Sequence, residues 1–221
     1  RVTGTGLVND RRTLRIERGV EAFEIEAGLV VAADGARSII REQAGVAAEH
    51  WEYGQTAIIA TLTTQRFHDH VAYERFTPDG PIAVLPLADG RCGIVWIRRP
   101  AEAERLLALS DEEFLVELQA AFGYRLGRLL RIGARHSYPL ALSRSGCHTA
   151  PRLAIVGNAA QSLHPIAGQG FNLGLRDAAS LAEVIADAMA AGRTDVGDEA
   201  TLRAYAAWRD EDRRRIVAFT D

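Results

Sequence analysis

The sequence contains no lysine: all 26 basic side chains are arginine, and they are scattered along the chain without gathering into a stripe. With a net charge of −3, that distribution excludes the electrostatic footprint of a nucleic-acid binder. Cysteine is scarce as well. Cys92 and Cys147 lie far apart with no CxxC spacing, which excludes a disulfide framework and fits a reducing, cytoplasmic compartment. No apolar run approaches the ~20 residues needed to span a bilayer, and the start of the chain carries no secretory pattern. What is present suits a folded protein: 221 residues, 48% hydrophobic and 25% charged, enough to bury a core. The densest basic run, Arg213-Arg214-Arg215, follows Asp210-Glu211-Asp212 on an expected helix, where a self-paired solvated face is the simplest reading. The chain opens on Arg1, in the middle of what reads as sheet, and is expected to be a C-terminal fragment of a larger chain.

Short strands are expected over residues 2–9, 13–16, 22–26 and 29–33, with turns at Asn9-Asp10 and Arg18-Gly19. The last strand runs into Asp34-Gly35 and a short helix closed by Gly45. Asp34 could accept hydrogen bonds from loop N–H groups or a ligand hydroxyl, and Arg41 could meet a phosphate. A tight turn with a structural Asp-Arg pair explains the same residues. From residue 51 the pattern turns to antiparallel sheet, with strands over 57–63, 71–76, 82–87 and 92–97. A helix opens on the capping sequence Ser110-Asp111-Glu112-Glu113 and ends near Gly123, after which 129–142 reads as one strand.

The stretch from Arg152 to Asp177 organises the rest. Leu153 to Val156 form a buried strand, Gly157 turns the chain, Pro165 stiffens the loop, and Gly168 and Gly170 remove side chains where a helix starts near Phe171. The unpaired N–H groups and positive dipole end of that helix suit a flat ligand that develops negative charge. Helices follow over 171–191 and 201–219. Asp177 reads first as a residue that favours the helix start for structural reasons.

Other chemistry is poorly supported. Gly4-Thr5-Gly6 begins a dinucleotide fingerprint, but the third glycine would fall on Asn9. His68 and His70 could share one face of a strand with a metal, yet no third ligand is near, and an exposed hairpin end is the plainer reading. No G-x-S-x-G occurs, so a nucleophile elbow is absent.

Two motifs carry a family resemblance. Asp34-Gly35 with Ser38 and Arg41 after a buried strand resembles the "DG" motif of the aromatic-ring flavoprotein monooxygenases, the p-hydroxybenzoate hydroxylase superfamily. Gly157-Asn158-Ala159-Ala160 through His164-Pro165-Ile166-Ala167-Gly168-Gln169-Gly170-Phe171-Asn172 resembles its second FAD motif. Phe76-Thr77-Pro78-Asp79-Gly80-Pro81-Ile82-Ala83-Val84-Leu85-Pro86-Leu87 is similar to a segment of the ubiquinone-biosynthesis hydroxylases within that superfamily. Asn158 and Gln161 stand where most relatives carry Asp and His, a variant that resembles the 2-octaprenyl-6-methoxyphenol hydroxylase branch.

The resemblance implies a mixed α/β fold: a partial FAD-binding, Rossmann-like domain over 1–50 and 146–221, with an antiparallel substrate domain inserted over 51–145. It implies that the superfamily's N-terminal third, with the ADP-binding fingerprint, is missing. It also implies FAD reduced by NAD(P)H, O₂ activated as a flavin C4a-hydroperoxide, and hydroxylation of a polyprenylated phenol. Asn158 would hold the ribityl chain, Pro165 would lie beside the isoalloxazine, and Gly168, Gln169, Gly170, Phe171 and Asn172 would face N1 and O2 of the ring. Asp34, Gly35 and Arg41 would border the pyrophosphate. No residue is assigned as a catalytic acid or base. Other ubiquinone-biosynthesis proteins and the inner face of a membrane, met peripherally, are the implied partners. A halogenase or prenyl reductase on the same scaffold is the alternative, although W-x-W-x-I-P is absent around Trp51, Trp96 and Trp208. An inert fragment or assembly module is the non-enzymatic one.

Overall fold

The structure, a computed structural model, describes residues 1–162 and 169–220, with side-chain detail for 1–162 and 170–212. In chain order the strands β1 (Val2–Val8), β2 (Arg11–Arg18), β3 (Glu21–Ala27) and β4 (Val30–Ala32) precede helix α1 (Ile39–Gln43). Strands β5 (Ala48–Thr64), β6 (Tyr73–Arg75), β7 (Ile82–Pro86) and β8 (Cys92–Arg98) lead to helices α2 (Pro100–Leu107) and α3 (Asp111–Phe122). Then come β9 (Leu129–Ile132), β10 (His136–Ser145), β11 (Thr149–Ala150), β12 (Leu153–Ile155), β13 (Gln161–Ser162), α4 (Gln169–Ala190) and α5 (Glu199–Thr220). The chain divides into two compact units, one of Arg1–Trp51 with Ala141–Asp221 and one of Glu52–Leu140.

In the first unit β1, β2 and β3 form an antiparallel meander. Asn9 and Asp10 make its first turn with φ of 48° and 58°, the left-handed pair that matches hairpin twist. Gly4 and Gly6 lie inside β1, so no phosphate loop forms there. Strand β4 pairs in parallel with β12, Val30 opposite Leu153 and Ala32 opposite Ile155. Strand β12 is buried along its length, whereas β4 buries Val30 and Ala32 and leaves Val31 exposed. Val30, Ile40, Leu153 and Ile155 pack in one core, and Ala154, Val156, Leu181 and Tyr205 in another beside it.

In the second unit β5 pairs with β8 and β9, β8 with β7, and β7 with β6, all antiparallel. Helices α2 and α3 contribute Leu106, Phe114 and Leu118 to a core shared with Ile58, Ile94 and Trp96. Trp96 and Phe114 meet edge to face at 5.5 Å. Ser110 and Glu113 form a reciprocal capping box at the start of α3, as the local sequence predicts.

Three expectations change. The run over 129–142 is two strands, β9 ending at Ile132 and β10 starting at His136; between them the Gly133 N–H donates to the Thr61 carbonyl at 2.8 Å, and its missing side chain admits the Thr61 hydroxyl. Helix α2 was not expected; Pro100 at its first turn starts it. His68 and His70 sit in a turn and not on a strand. His68 is buried, its Nε2 3.2 Å from the Leu87 carbonyl and its Nδ1 accepting from the His70 N–H, which replaces the exposed hairpin end.

Candidate functional site

The Asp34-Gly35 turn is built by its own side chains. Gly35 has φ of 90°, which a side chain would resist. Asp34 Oδ1 accepts from the Ser38 hydroxyl at 2.5 Å and Oδ2 from the Ile40 N–H at 3.3 Å, while Ser38 Oγ accepts from the Arg41 N–H at 3.0 Å. The carboxylate therefore terminates the loop and starts α1. Arg41 does not pair with it. The Arg41 side chain is buried, and its Nη1 donates to the Ala36 carbonyl at 3.2 Å and the Ala159 carbonyl at 2.7 Å. One guanidinium thus fastens the first motif to the second, 118 residues away.

The second motif turns on Gly157, at φ of 58°. A Cβ built on Gly174 of α4 would stand 3.3 Å from the Gly157 Cα, so the two glycines let the helix cross the turn at close range. The Gly157 N–H donates to Asp177 Oδ2 at 2.8 Å. Asp177 Oδ1 in turn accepts from Arg209 Nε of α5 at 2.7 Å, and Arg209 Nη1 donates to Asp212 at 2.7 Å. Asp177 and Arg209 are 0% and 2% exposed at the side chain. Burial pushes the Asp177 carboxyl up, and the Arg209 charge and the Gly157 N–H oppose that rise. Arg176 also reaches Asp212, at 3.0 Å. The acidic partner expected within the Arg213 run therefore serves two arginines elsewhere; the side chains of 213–215 lie outside the described residues. Tyr205 donates to the Ile155 carbonyl at 3.1 Å, and burial raises its pKa.

Asn158 is exposed on the one-turn helix at Gly157–Ala159. Helix α4 begins at Gln169, so the backbone N–H groups of residues 169–172 occupy its first turn, where no intrahelical acceptor exists for them. Among the described residues, nothing lies within 4 Å of a Cβ built on Gly170 or Gly35. Phe171 and Asn172 are exposed. The buried amide Nε2 of Gln161 has no hydrogen-bond partner among the described residues. The N–H groups of a helix start and the missing side chains of its glycines together suit a flat, polar-edged ligand that gains negative charge. Asp177 is sealed beneath this surface, so acid–base chemistry on a ligand is not its role.

The structure brings Asp34, Gly35 and Arg41 into one framework with the Gly157–Ala160 turn. Pro165 and Gly168 lie outside the described residues, and of Gln169 only the backbone is described. Arg209 escaped the sequence reading, because nothing local marks an arginine on α5 as the partner of an aspartate 32 residues earlier. Among the described residues no three His, Cys, Asp or Glu side chains gather as a metal site, and no helix is long and apolar enough to cross a membrane.

Comparison with known proteins agrees with this geometry. The chain is 45% identical to the ubiquinone hydroxylase UbiL of Rhodospirillum rubrum, over 89% of this chain and 46% of that protein. It is 36% identical to the 3-demethoxyubiquinol 3-hydroxylase of Escherichia coli, over 76% of this chain and 43% of that protein. The chain therefore spans about half the length of the curated relatives it matches. The crystal structure of PqsL, a probable FAD-dependent monooxygenase from Pseudomonas aeruginosa, superimposes with a TM-score of 0.77 at 22% identity over 99% of this chain and 61% of that one, which establishes the shared fold. A family model described as the FAD binding domain matches residues 9–220, and the chain belongs to that family.

Proposed function

We propose that this chain supplies the flavin-ring side of an FAD-dependent monooxygenase that hydroxylates the aromatic ring of a polyprenylated phenol in ubiquinone biosynthesis. The observation that carries the proposal is the Arg41 clamp, which holds the Asp34 turn and the Gly157 turn together beside the open start of α4. The residues fit FAD. Asn158 presents an amide for a ribityl hydroxyl, and the N–H groups of 169–172 stand where reduced flavin would carry negative charge near N1. Gly35 and Gly170 leave room for close approach, and Pro165 and Gly168 belong to the same loop by sequence. Asp34 and Arg41 act by fixing the turn that borders the pyrophosphate. When bound, FAD supplies O₂ activation and oxygen transfer, and NAD(P)H the electrons. The likeness to the two named hydroxylases supports a prenylated phenol as substrate.

The test uses the longest reading frame that contains this chain. The protein should purify with flavin absorbance and consume NAD(P)H and O₂ when a prenylphenol is added, with hydroxylated product by mass spectrometry. Absence of both flavin and prenylphenol-dependent NAD(P)H consumption refutes the hydroxylase. Flavin bound without ring hydroxylation favours a halogenase or reductase on the same scaffold. Peripheral membrane association, expected from an insoluble substrate, is checked by liposome flotation.

A further inference from the structure

The second unit contains a pocket of about 650 Å³, lined in part by Thr77, Asp79, Trp96, Arg98, Glu102 and Leu106. Its chemistry centres on Arg98, the last residue of β8. The arginine is 7% exposed, and its guanidinium carbon stands 4.6 Å over the Trp96 ring. Among the described residues its side chain makes one hydrogen bond, from Nη1 to the carbonyl of the preceding Ile97 at 3.4 Å, and no ion pair within 4.0 Å. A buried guanidinium held this loosely is rare, because a charge removed from water needs partners. The carboxylates around it are committed or distant. Glu102 and Glu117 both bind Arg105, at 2.6 and 3.4 Å, and Asp79 acts on Arg98 only through space. The remaining cations of the lining, Arg75 and Arg99, add to the positive side. Among the described residues the Trp96 indole N–H is buried without a partner as well. The aromatic face fixes the plane of the guanidinium, leaving its planar fork to a ligand.

The turn beside it is equally specific. Gly80, in the Thr77-Pro78-Asp79-Gly80 turn, has φ of 122°, and a Cβ there would stand 2.4 Å from the Ile97 carbonyl oxygen. Thr77 Oγ1 donates to the Gly80 carbonyl at 2.6 Å, and the Ile97 N–H to the Pro81 carbonyl at 3.0 Å. The turn is thus seated against the backbone of β8 next to Arg98, with Asp79 exposed at the rim.

We infer that this pocket binds a small organic carboxylate carried on an apolar body, its carboxylate taken by the Arg98 fork and its body by the Trp96 and Leu106 wall. A planar carboxylate meets a guanidinium with two parallel hydrogen bonds, which a point anion cannot.

The test is isothermal titration of the complete protein with benzoate, benzamide and inorganic phosphate. Benzoate should bind saturably and one to one, and more tightly than either of the others. Arg98→Met, which keeps the stem, should weaken benzoate by about 10-fold or more, the loss of a charged hydrogen-bonded pair. Asp79→Asn, at an exposed position, should tighten it about threefold by removing a like charge; it gives an independent readout if Arg98→Met does not fold. The inference is overturned if benzamide equals benzoate, if phosphate exceeds it, if no carboxylate saturates, or if both substitutions leave benzoate affinity within the error of the wild-type value.

Discussion

Replacing Arg209 by methionine should reveal how the helix framework carries the Gly157 turn. The substitution keeps the buried stem and leaves Asp177, 0% exposed, with the Gly157 N–H as its remaining donor among the described residues. At an effective dielectric near 20, charges about 4 Å apart attract by about 4 kcal/mol, and removing one partner of a buried pair destabilises by about 3–5 kcal/mol. With a urea m-value of about 2 kcal/mol/M the midpoint should fall by about 2 M. The pH dependence has a definite sign. Burial already holds the Asp177 carboxyl above its ordinary value, and loss of Arg209 raises it further. Between the unfolded value, about 3.9, and that raised value the native state binds more protons than the unfolded chain, so stability falls as pH rises. The deficit of the variant should therefore be larger at pH 8 than at pH 5. Asp177→Asn should lose less, because Arg209 keeps Asp212 and the asparagine oxygen can still accept from Gly157. The double substitution should recover part of the single-variant loss. The assay is urea unfolding followed by far-UV circular dichroism. A midpoint shift for Arg209→Met below about 0.5 M, the scale of an exposed pair, would refute the reasoning, as would a deficit that does not change with pH.

Two further substitutions separate structure from binding. Gly80→Ala meets both a left-handed φ and the Ile97 carbonyl; a loss of about 2–4 kcal/mol in thermal or urea unfolding is expected, and an unfolding curve like that of wild type would remove the steric argument. Asn158→Ala lies at an exposed position, so stability should change by no more than about 0.5 kcal/mol, while flavin affinity of the complete protein, measured by fluorescence quenching, should weaken about 5- to 10-fold for one hydrogen bond. Unchanged affinity would take Asn158 out of the proposed site.

Features made by neighbours in sequence were legible from the sequence. The Ser110-Glu113 capping box, the left-handed Asn9-Asp10 turn and the Asp34-Gly35 loop each rest on contacts a few residues apart, and short-range chemistry fixes them. The break after Ile132 was not legible, and the close fit of Gly133 against Thr61 belongs to a partner on another strand. His68 looked exposed for the same reason: Leu87, which meets its ring, lies 19 residues on. At the site, the spacing of the glycines was visible in the sequence, whereas the closure of Arg41 on the Ala36 and Ala159 carbonyls was not. An arginine's charge is visible in the sequence; its burial and its partners are decided by tertiary packing.

The joint between β4 and β12 sets the timing of folding. Val30 waits for Leu153, and Arg41 for Ala159, across a segment of more than a hundred residues. Closing an unstructured loop of about 120 residues carries an entropy term of about 4 kcal/mol before any constant. Residues 52–140 form a compact unit of their own, and once folded they replace that slack with a fixed span. The Asp34 and Gly157 turns should accordingly form last on the folding path, after the insertion and after the chain beyond residue 150 has been made. Pulse-labelled hydrogen exchange checks this directly: β4 amides protected before those of β8 would reverse the order.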